Sequence, residues 1–470
     1  MSELTALSAR ELSAKLKARD ISAVDLMRAT LDRIAAVNGT VNAIVSLRDE
    51  DALMAEAANA DQTPRKGWLH GIPHAMKEPV DVQGLPTTWG SPLLTGTVAG
   101  ADDLMTRRIK DAGAIIIGKT NMPEFGLGSH TFNPVYGSTL NPYDRTVSCG
   151  GSSGGAAVAL ATRMLPLADG SDVMGSLRNP AAWNNVYGMR PTHGLVPAEP
   201  AGDMFLHQLF TAGPMARDPT DLARLLETQA GPDPRTPQGR VFDAASIHKS
   251  DMSGKRIGWL GDWGGAYPYE PGISEICTSG LEVFERLGAI VEPVAAPFPA
   301  ERIWEAWINL RAWSNVARLK PMIDDPAKRD QIKASAQWEV ERGLRLDVMD
   351  LDRAAVDASD WYRCAAGLFS RFDALVLPTA QVWPFPHEIE YPTEIAGRAM
   401  DTYHRWMEVV IPVSLIGLPS ISLPVGFGDR GLPMGMQLFG PRWSDGRLLS
   451  MVEAYHQATD WPGARVPDLG

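Results

Sequence analysis

Residues 149–161 read CGGSSGGAAVALA, a pair of serines enclosed by glycines and followed at once by a run of helix formers. Glycines on both sides of the serines let the backbone approach closely and adopt positive φ. The alanine-rich run after Gly155 predicts that the loop opens a helix, whose first amides favour negative charge nearby. We therefore interpret the stretch as a tight turn into a helix, because a flexible linker would be longer and would join separate domains.

Several kinds of chemistry fit such a turn. A phosphate-binding loop would end in Gly-Lys-Ser/Thr, which is missing here. The pattern G-x-S-x-G of a nucleophile elbow matches at both Ser152 and Ser153, and it would require an acid and a histidine later in the chain. Cys149 beside the loop is better interpreted as a small buried residue than as a nucleophile. The later histidines are His193, His207, His248, His387, His404 and His456.

Composition limits the class of protein. The chain has 470 residues, 44% of them hydrophobic, and a net charge of −12, which argues against a sequence-independent binder of nucleic acid. Its three cysteines are far apart and form no CxxC pair, so we predict no disulfide framework and no zinc knuckle. We also expect no other metal and no cofactor. The charged N-terminus lacks the apolar core of a signal peptide, and no apolar run reaches the roughly 18 residues of a membrane span. We expect a soluble cytoplasmic protein.

Short apolar runs bounded by glycine and proline indicate strands. They occur at residues 114–118, 374–378 and 421–425, and helical patterns separate them. Ser8 and Ser22 each stand three residues before an acid, a capping box that predicts the start of a helix. The expected fold class is α/β, with a central sheet whose strands are buried on both faces.

The domain organisation is predicted as one compact unit over residues 1–470. N-terminal helices would occupy residues 1–58, and the core about 60–200 and 370–455. The segment of about 200–365 differs in texture, with several tryptophans and loops rich in Pro, Gly and Asp. We interpret it as an insertion that shapes the substrate site. Its tryptophans would either line a pocket or pack in the core.

Two further segments carry candidate chemistry. Lys77 follows Ile72, Pro73 and Met76, and apolar neighbours of this kind lower the pKa of a lysine so that it can act as a base. Ser176 lies 24 residues after Ser152 in a second Gly-Ser turn, where successive backbone amides can converge on an oxyanion. Each segment alone also fits an ordinary solvated lysine or polar loop.

Taken together, the three segments closely resemble the amidase signature family, serine hydrolases with a Ser–cis-Ser–Lys triad. The resemblance rests on the lysine after Gly-Ile-Pro, on GGSSGG, and on the Gly-Ser-x-Arg turn that ends at Arg178. It covers roughly residues 5–200 and 370–455. Further matching segments are residues 118–125, 137–142, 187–192, 417–426 and 431–437.

The resemblance implies a fold and a set of roles. The fold would be a central twisted mixed β-sheet covered by helices on both faces. Ser176 would be the nucleophile, and Ser152, on a cis peptide, would relay its proton to Lys77. Ser153 would order this network, and Arg178 would anchor the loop or contact substrate. The oxyanion would lie against the amides of Val173, Met174, Gly175 and Ser176.

One position departs from the family pattern. The family usually has two glycines before the nucleophile, whereas this chain has Met174 and Gly175. The side chain of Met174 either narrows the oxyanion loop or lines the acyl pocket, or it points away without consequence.

The predicted activity is hydrolysis of a linear carboxylic amide through a serine acyl-enzyme, extending to anilides, esters or carbamates. Its partner would be a small amide-type substrate, with no nucleic acid and no membrane. The alternatives are a glutamine-hydrolysing amidotransferase subunit of the same family, or an esterase that uses Ser152 with a histidine and an acid. The sequence predicts neither a particular substrate nor an oligomeric state. The resemblance to the family is the only indication of a homodimer.

Overall fold

Strands and helices alternate along the chain. The protein is described by a computed structural model over residues 3–469. The strands are β1 (Ile44–Val45), β2 (Pro73–Lys77), β3 (Ile115–Thr120), β4 (Leu167–Asp172), β5 (Tyr187–Arg190), β6 (Thr211–Ala216), β7 (Arg256–Trp259), β8 (Ile290–Pro293), β9 (Ala374–Pro378), β10 (Glu394–Ile395), β11 (Arg398–Ala399), β12 (Ser420–Phe427) and β13 (Pro433–Phe439).

The helices flank these strands. They are α1 (Glu3–Ala6), α2 (Ala9–Ala18), α3 (Ala23–Val41), α4 (Glu50–Gln62), α5 (Leu104–Asp111), α6 (Gly154–Ala161), α7 (Arg178–Trp183), α8 (Pro219–Gln229), α9 (Ile273–Arg286), α10 (Ala300–Ile323), α11 (Pro326–Arg329), α12 (Ala334–Arg345), α13 (Val348–Phe369), α14 (Ile411–Leu415), α15 (Asp445–Thr459) and α16 (Trp461–Ala464). Within residues 3–469, none of them is both long and apolar enough to cross a membrane.

Eight strands form the central sheet, in the order β4-β6-β5-β12-β13-β9-β7-β8. The pairs from β4 to β9 are antiparallel, and β9, β7 and β8 run parallel, so the sheet is mixed. Every residue of β9 and β13 is buried. This confirms the α/β class and the continuous apolar runs expected for strands covered on both faces.

A smaller sheet carries the candidate base. It has the order β1-β3-β2, with β2 parallel to β3 and β1 antiparallel to it. Lys77 is the last residue of β2, and all five residues of this strand are buried. The lysine therefore approaches the glycine loop from outside the central sheet.

The predicted helix starts in the N-terminal region are confirmed. The side chains of Ser8 and Ser22 accept hydrogen bonds from the backbone of Glu11 and Asp25, and both capping boxes are complete. These motifs act over three residues, which is why the sequence alone predicts them well.

The segment of about 200–365 is predicted as an insertion, but in the structure it forms part of the central sheet. It supplies β6, β7 and β8 to the central sheet, as well as the long helices α10, α12 and α13. These strands have four to six residues, and only β6 is largely buried, so the sequence carries a weak strand signal there. The fully buried tryptophans of the segment pack in the core; they are Trp263, Trp304, Trp307 and Trp361.

Candidate active site

Lys77 is buried among serine hydroxyls. Its side chain is 1% exposed, and Nζ lies 2.8 Å from Ser152 Oγ and 2.9 Å from Ser171 Oγ. Burial lowers the pKa of Lys77 to about 7, against the opposing charges of Asp169 and Asp172. A large share of this amine is therefore neutral near pH 7, which is the form that can accept a proton.

The glycine loop brings Ser152 to the lysine. The peptide bond between Gly151 and Ser152 is cis, and α6 begins two residues later at Gly154. Ser129 Oγ donates to the carbonyl of Gly151 at 2.6 Å, and Thr131 Oγ1 donates to that of Gly150 at 2.7 Å. Neighbouring loop residues thus hold both peptides that precede the serine.

Glycine is required at the start of α6 because other chain segments approach it closely. A Cβ at Gly154 would lie 2.2 Å from Thr131 Oγ1, and one at Gly155 would lie 2.3 Å from the backbone nitrogen of Asn121. Neither distance is possible for a real side chain without movement of the backbone or of a buried threonine. Close packing is thus the reason for the glycines after the serine pair.

Ser153 joins the loop to the two neighbouring segments. Its backbone amide donates to the carbonyl of Ser176 at 3.2 Å, and its Oγ accepts from the amide of Ser171 at 3.4 Å. It is fully buried. These contacts place the turn with Ser176 beside the turn with Ser152.

Ser176 lies at the edge of the buried site, with 8% of its surface exposed. Among residues 3–469 no hydrogen bond joins its hydroxyl to that of Ser152. The structure brings Lys77 and Ser152 into direct contact and places Ser176 next to them through the backbone of Ser153. Its role as nucleophile stays a prediction.

The turn before Ser176 is organised by a buried carboxylate. Asp172 Oδ1 accepts from the amide of Gly175 at 2.9 Å, and Oδ2 accepts from that of Leu177 at 3.2 Å. The amide of Gly175 is therefore occupied inside the protein. Within the turn of residues 173–177, the amides of Val173, Met174 and Ser176 donate to no acceptor in the described part of the protein.

Gly175 is the position in this turn that needs glycine. Its φ is +77°, and a Cβ there would lie 2.0 Å from Asn179 Oδ1. Met174 is not in the left-handed region, and its side chain is 4% exposed and belongs to the main hydrophobic core. The departure at Met174 is thus accommodated by burial of its side chain.

Arg178 joins the turn before Ser176 to neighbouring parts of the core. It is fully buried and donates to Asp172 at 3.1 Å, to Gln437 Oε1 at 2.6 Å and to Ser414 Oγ at 2.6 Å. Burial alone would raise the pKa of Asp172, but Arg178 and Arg190 outweigh it and hold that pKa well below its usual range. Of the two roles expected for Arg178, these contacts support the anchoring one.

None of the histidines required by a nucleophile elbow reaches Ser152 or Ser176. His193, His248 and His387 bond elsewhere, to Phe210, Ser246 and Glu388. The remaining three histidines also contact other residues. His207 packs edge-on against Trp313, His404 packs edge-on against Trp307, and His456 contacts Tyr187. Burial raises the pKa of the Cys149 thiol to about 12, so this residue is a poor nucleophile.

The sequence analysis did not predict four residues of the site. Two of them, Ser171 and Asp169, contact Lys77, and the other two, Ser129 and Thr131, bind the peptides before Ser152. Ser171 bonds to Nζ, and Asp169 accepts from the backbone amide of Lys77 at 3.2 Å and from His74 Nε2 at 3.1 Å. The sequence carried part of this information, because residues 169 and 171 are two positions apart in β4 and their side chains therefore lie on the same face of the strand. Ser129 and Thr131 carried no such signal, since they follow a strand in an irregular loop.

Comparison with known proteins identifies the family. The family model Amidase matches residues 25–449. The chain therefore belongs to the amidase signature family, a class of enzymes that act on C–N bonds.

Amidotransferase subunits and amidases are both among the similar proteins. A glutamyl-tRNA(Gln) amidotransferase subunit from Acidothermus cellulolyticus is 34% identical, over 97% of this chain and 95% of the relative. Among solved structures, a bacterial aryl acylamidase of the amidase signature family is 28% identical, with a TM-score of 0.90 over 98% of this chain and 99% of the other. The peptide amidase of Stenotrophomonas maltophilia is 29% identical, with a TM-score of 0.80 over 98% of each chain.

Proposed function

We propose that the protein cleaves the C–N bond of a linear carboxylic amide through a serine acyl-enzyme. The observation that carries the proposal is the contact of 2.8 Å between Lys77 Nζ and Ser152 Oγ, in a buried position where the pKa of the lysine is lowered to about 7. A lysine that is neutral near pH 7 can act as a general base, and a serine hydrogen-bonded to it can relay the proton.

In the first half of the reaction, Ser176 Oγ attacks the amide carbonyl. Its proton passes to Ser152, whose own proton moves to the neutral amine of Lys77. The free amides of Val173, Met174 and Ser176 are the donors for the resulting oxyanion. The C–N bond then breaks, and the proton returns from Lys77 through Ser152 to the leaving amine, which departs as amine or ammonia.

In the second half, water replaces the amine. Lys77, again neutral, takes a proton from water through Ser152, and the hydroxide attacks the acyl-enzyme. The ester bond to Ser176 breaks, and the proton returns to the serine, which releases a carboxylic acid. Anilides, esters and carbamates fall within the proposal because they also react by acyl transfer at one carbonyl carbon.

A second candidate is a glutamine-hydrolysing amidotransferase subunit that passes ammonia to a partner protein. It is supported by the curated relatives, whose 34% identity exceeds the 28% and 29% of the two amidases. The cleavage chemistry is the same in both candidates. They differ in the fate of the ammonia and in the need for a partner.

Hydrolysis by the isolated chain tests the proposal and separates the candidates. A stand-alone amidase releases amine from simple amides and anilides and ignores L-glutamine. An amidotransferase component, tested without its partners, shows weak activity on L-glutamine, which rises when the partner proteins are supplied. In both cases the Ser176→Ala variant should be inactive, and a Ser176→Ala variant with unchanged turnover would contradict the assigned nucleophile. Ser13→Ala, on the distant helix α2, is the matched control.

A further inference from the structure

Arg318 is a cation without an acidic partner. It lies on α10 and is exposed to solvent. Its Nη2 lies 3.0 Å from Asn315 Oδ1 and 3.5 Å from the carbonyl of Phe125. Among residues 3–469, Arg318 forms no ion pair with a carboxylate. Because a guanidinium has five N–H donors, most of its hydrogen-bonding capacity is left for other acceptors.

The other arginines of the same helix are neutralised. Arg311 pairs with Glu339 at 2.6 Å, and Arg302 pairs with Asp360 at 2.7 Å. The chain therefore supplies acids to the other two arginines on α10 and leaves Arg318 unpaired. Its charge is thus available to a molecule from outside.

Arg318 lies at the surface beside an aromatic ring. Solvent reaches it, yet the surrounding protein and the nearby Arg311 lower its pKa to about 10, so it remains charged at neutral pH. The centre of its guanidinium lies 4.9 Å from the centroid of the Trp89 ring. A flat aromatic surface thus lies beside the cation.

The surface around Arg318 adjoins the candidate active site. Phe125, whose carbonyl faces Arg318, is followed by Gly126, and a Cβ at Gly126 would lie 4.0 Å from Ser152 Oγ. The backbone amide of Phe125 also donates to the carbonyl of Trp89 at 2.8 Å. One short loop therefore lies near Ser152 on one side and contacts Arg318 and Trp89 on the other.

We propose that Arg318 is a specificity-determining residue that binds a carboxylate carried by the substrate, a few bonds away from the carbonyl that is cleaved. A guanidinium fork matches a carboxylate through two parallel hydrogen bonds. Trp89 provides a face for the apolar part that joins the carboxylate to the amide. The inference rests on the proposed function and adds a class of substrate to it, namely amides that bear a carboxylate.

The test compares substrates that differ only in the carboxylate. On the acyl side, the mono-4-nitroanilide of glutaric acid is compared with the 4-nitroanilide of pentanoic acid. On the amine side, 4-acetamidobenzoate is compared with 4-acetamidotoluene. We expect the wild-type protein to favour the carboxylate in one pair by about 10- to 100-fold in kcat/KM, the range of a charge-assisted hydrogen-bonded pair.

The variant Arg318→Met should lose this preference through KM and leave the neutral substrate unchanged. Arg318→Lys, which keeps the charge without the fork, should retain part of it. Lys320→Met on the same helix, whose lysine pairs with Asp324, is the control and should keep the full preference. The proposal is overturned if neither pair shows a preference, or if Arg318→Met weakens both members of a pair equally.

A binding measurement separates this inference from the proposed function. Titration calorimetry measures affinity without turnover when the ligand is a ketone in which CH2 replaces the NH of the amide, because such a ligand has no C–N bond to cleave. The ligands are 5-oxo-6-phenylhexanoate for the acyl side and 4-(2-oxopropyl)benzoate for the amine side. Binding that is at least about tenfold weaker in Arg318→Met than in the wild-type protein supports the inference even if no amide is hydrolysed. Equal binding of both ketones by the two proteins overturns it, whereas hydrolysis of the neutral anilides would still support the proposed function.

Discussion

Lys77 and Arg178 are both basic side chains with almost no solvent contact, 1% and 0% exposed. The amine of Lys77 meets the hydroxyls of Ser152 and Ser171, whereas the guanidinium of Arg178 meets the carboxylate of Asp172. Burial without an ion-pair partner lowers the pKa of the lysine to about 7. Burial with a partner produces a permanent ion pair. One region is thus suited to move protons, and the other to hold the turn next to it.

The largest effect is expected from Lys77. Lys77→Met removes the base and should lower kcat/KM by about 10³- to 10⁴-fold, toward the upper end of the loss of a general base. The protein should remain as stable as the wild type, since the variant places an apolar side chain in a buried position. Turnover of an anilide and the thermal melting curve check both statements.

Lys77→Arg sharpens this expectation, because an arginine keeps its proton in this setting and should be as inactive as the methionine. Substantial activity in either variant would remove Lys77 from the proposed mechanism.

Arg178 should show the opposite pattern. Arg178→Met leaves Asp172 buried with Arg190 as its remaining cation, and we expect a loss of about 3 kcal/mol in the free energy of unfolding. Chemical denaturation measures it. The matched control is Arg28→Met, which breaks an exposed pair with Glu50 and should cost less than about 1 kcal/mol. Equal losses in the two variants would contradict the anchoring role.

The turn held by Arg178 and Asp172 should be sensitive to its shape. Gly175→Ala places a Cβ against Asn179 at a φ of +77° and should lower kcat by about 10²-fold, as the amides lose their alignment on the oxyanion. Gly84→Ala has a similar φ of +83° with open space around it, and it separates backbone strain from the steric contact. If the kcat of Gly175→Ala equals that of the Gly84→Ala control, the amides of this turn do not bind the oxyanion.

The smallest effect is a shift in pH dependence. Lys77 acts as a base only when it has lost its proton, so kcat/KM should rise with pH through about 7. The charge of Asp169 raises the pKa of Lys77, and Asp169→Asn should move this rise to lower pH. A pH profile of both proteins checks it, with the exposed Asp49→Asn as control. A shift to higher pH would show that Asp169 acts on Lys77 in another way.

The three predicted triad residues illustrate how far sequence reasoning reaches. The motifs of Lys77 and Ser152 predict both residues, and the two meet in the structure, while Ser176 lies beside them without a hydrogen bond to Ser152. The sequence predicts the segment 200–365 less well, because its strands are short and pair with partners distant in sequence. Its supply of three strands to the central sheet could not be read from local patterns.

The amino-acid sequence by itself determined the features that act over a few residues. These are the capping boxes at Ser8 and Ser22, the buried runs of β9 and β12, and the glycines around Ser152. Only the tertiary structure decided the surroundings of Lys77. Its contact with Ser171 spans 94 positions of the chain, and the desolvation that lowers its pKa comes from residues brought together by folding. Local rules place a lysine in a strand, but its partners and the exclusion of water from it decide whether it can be a base.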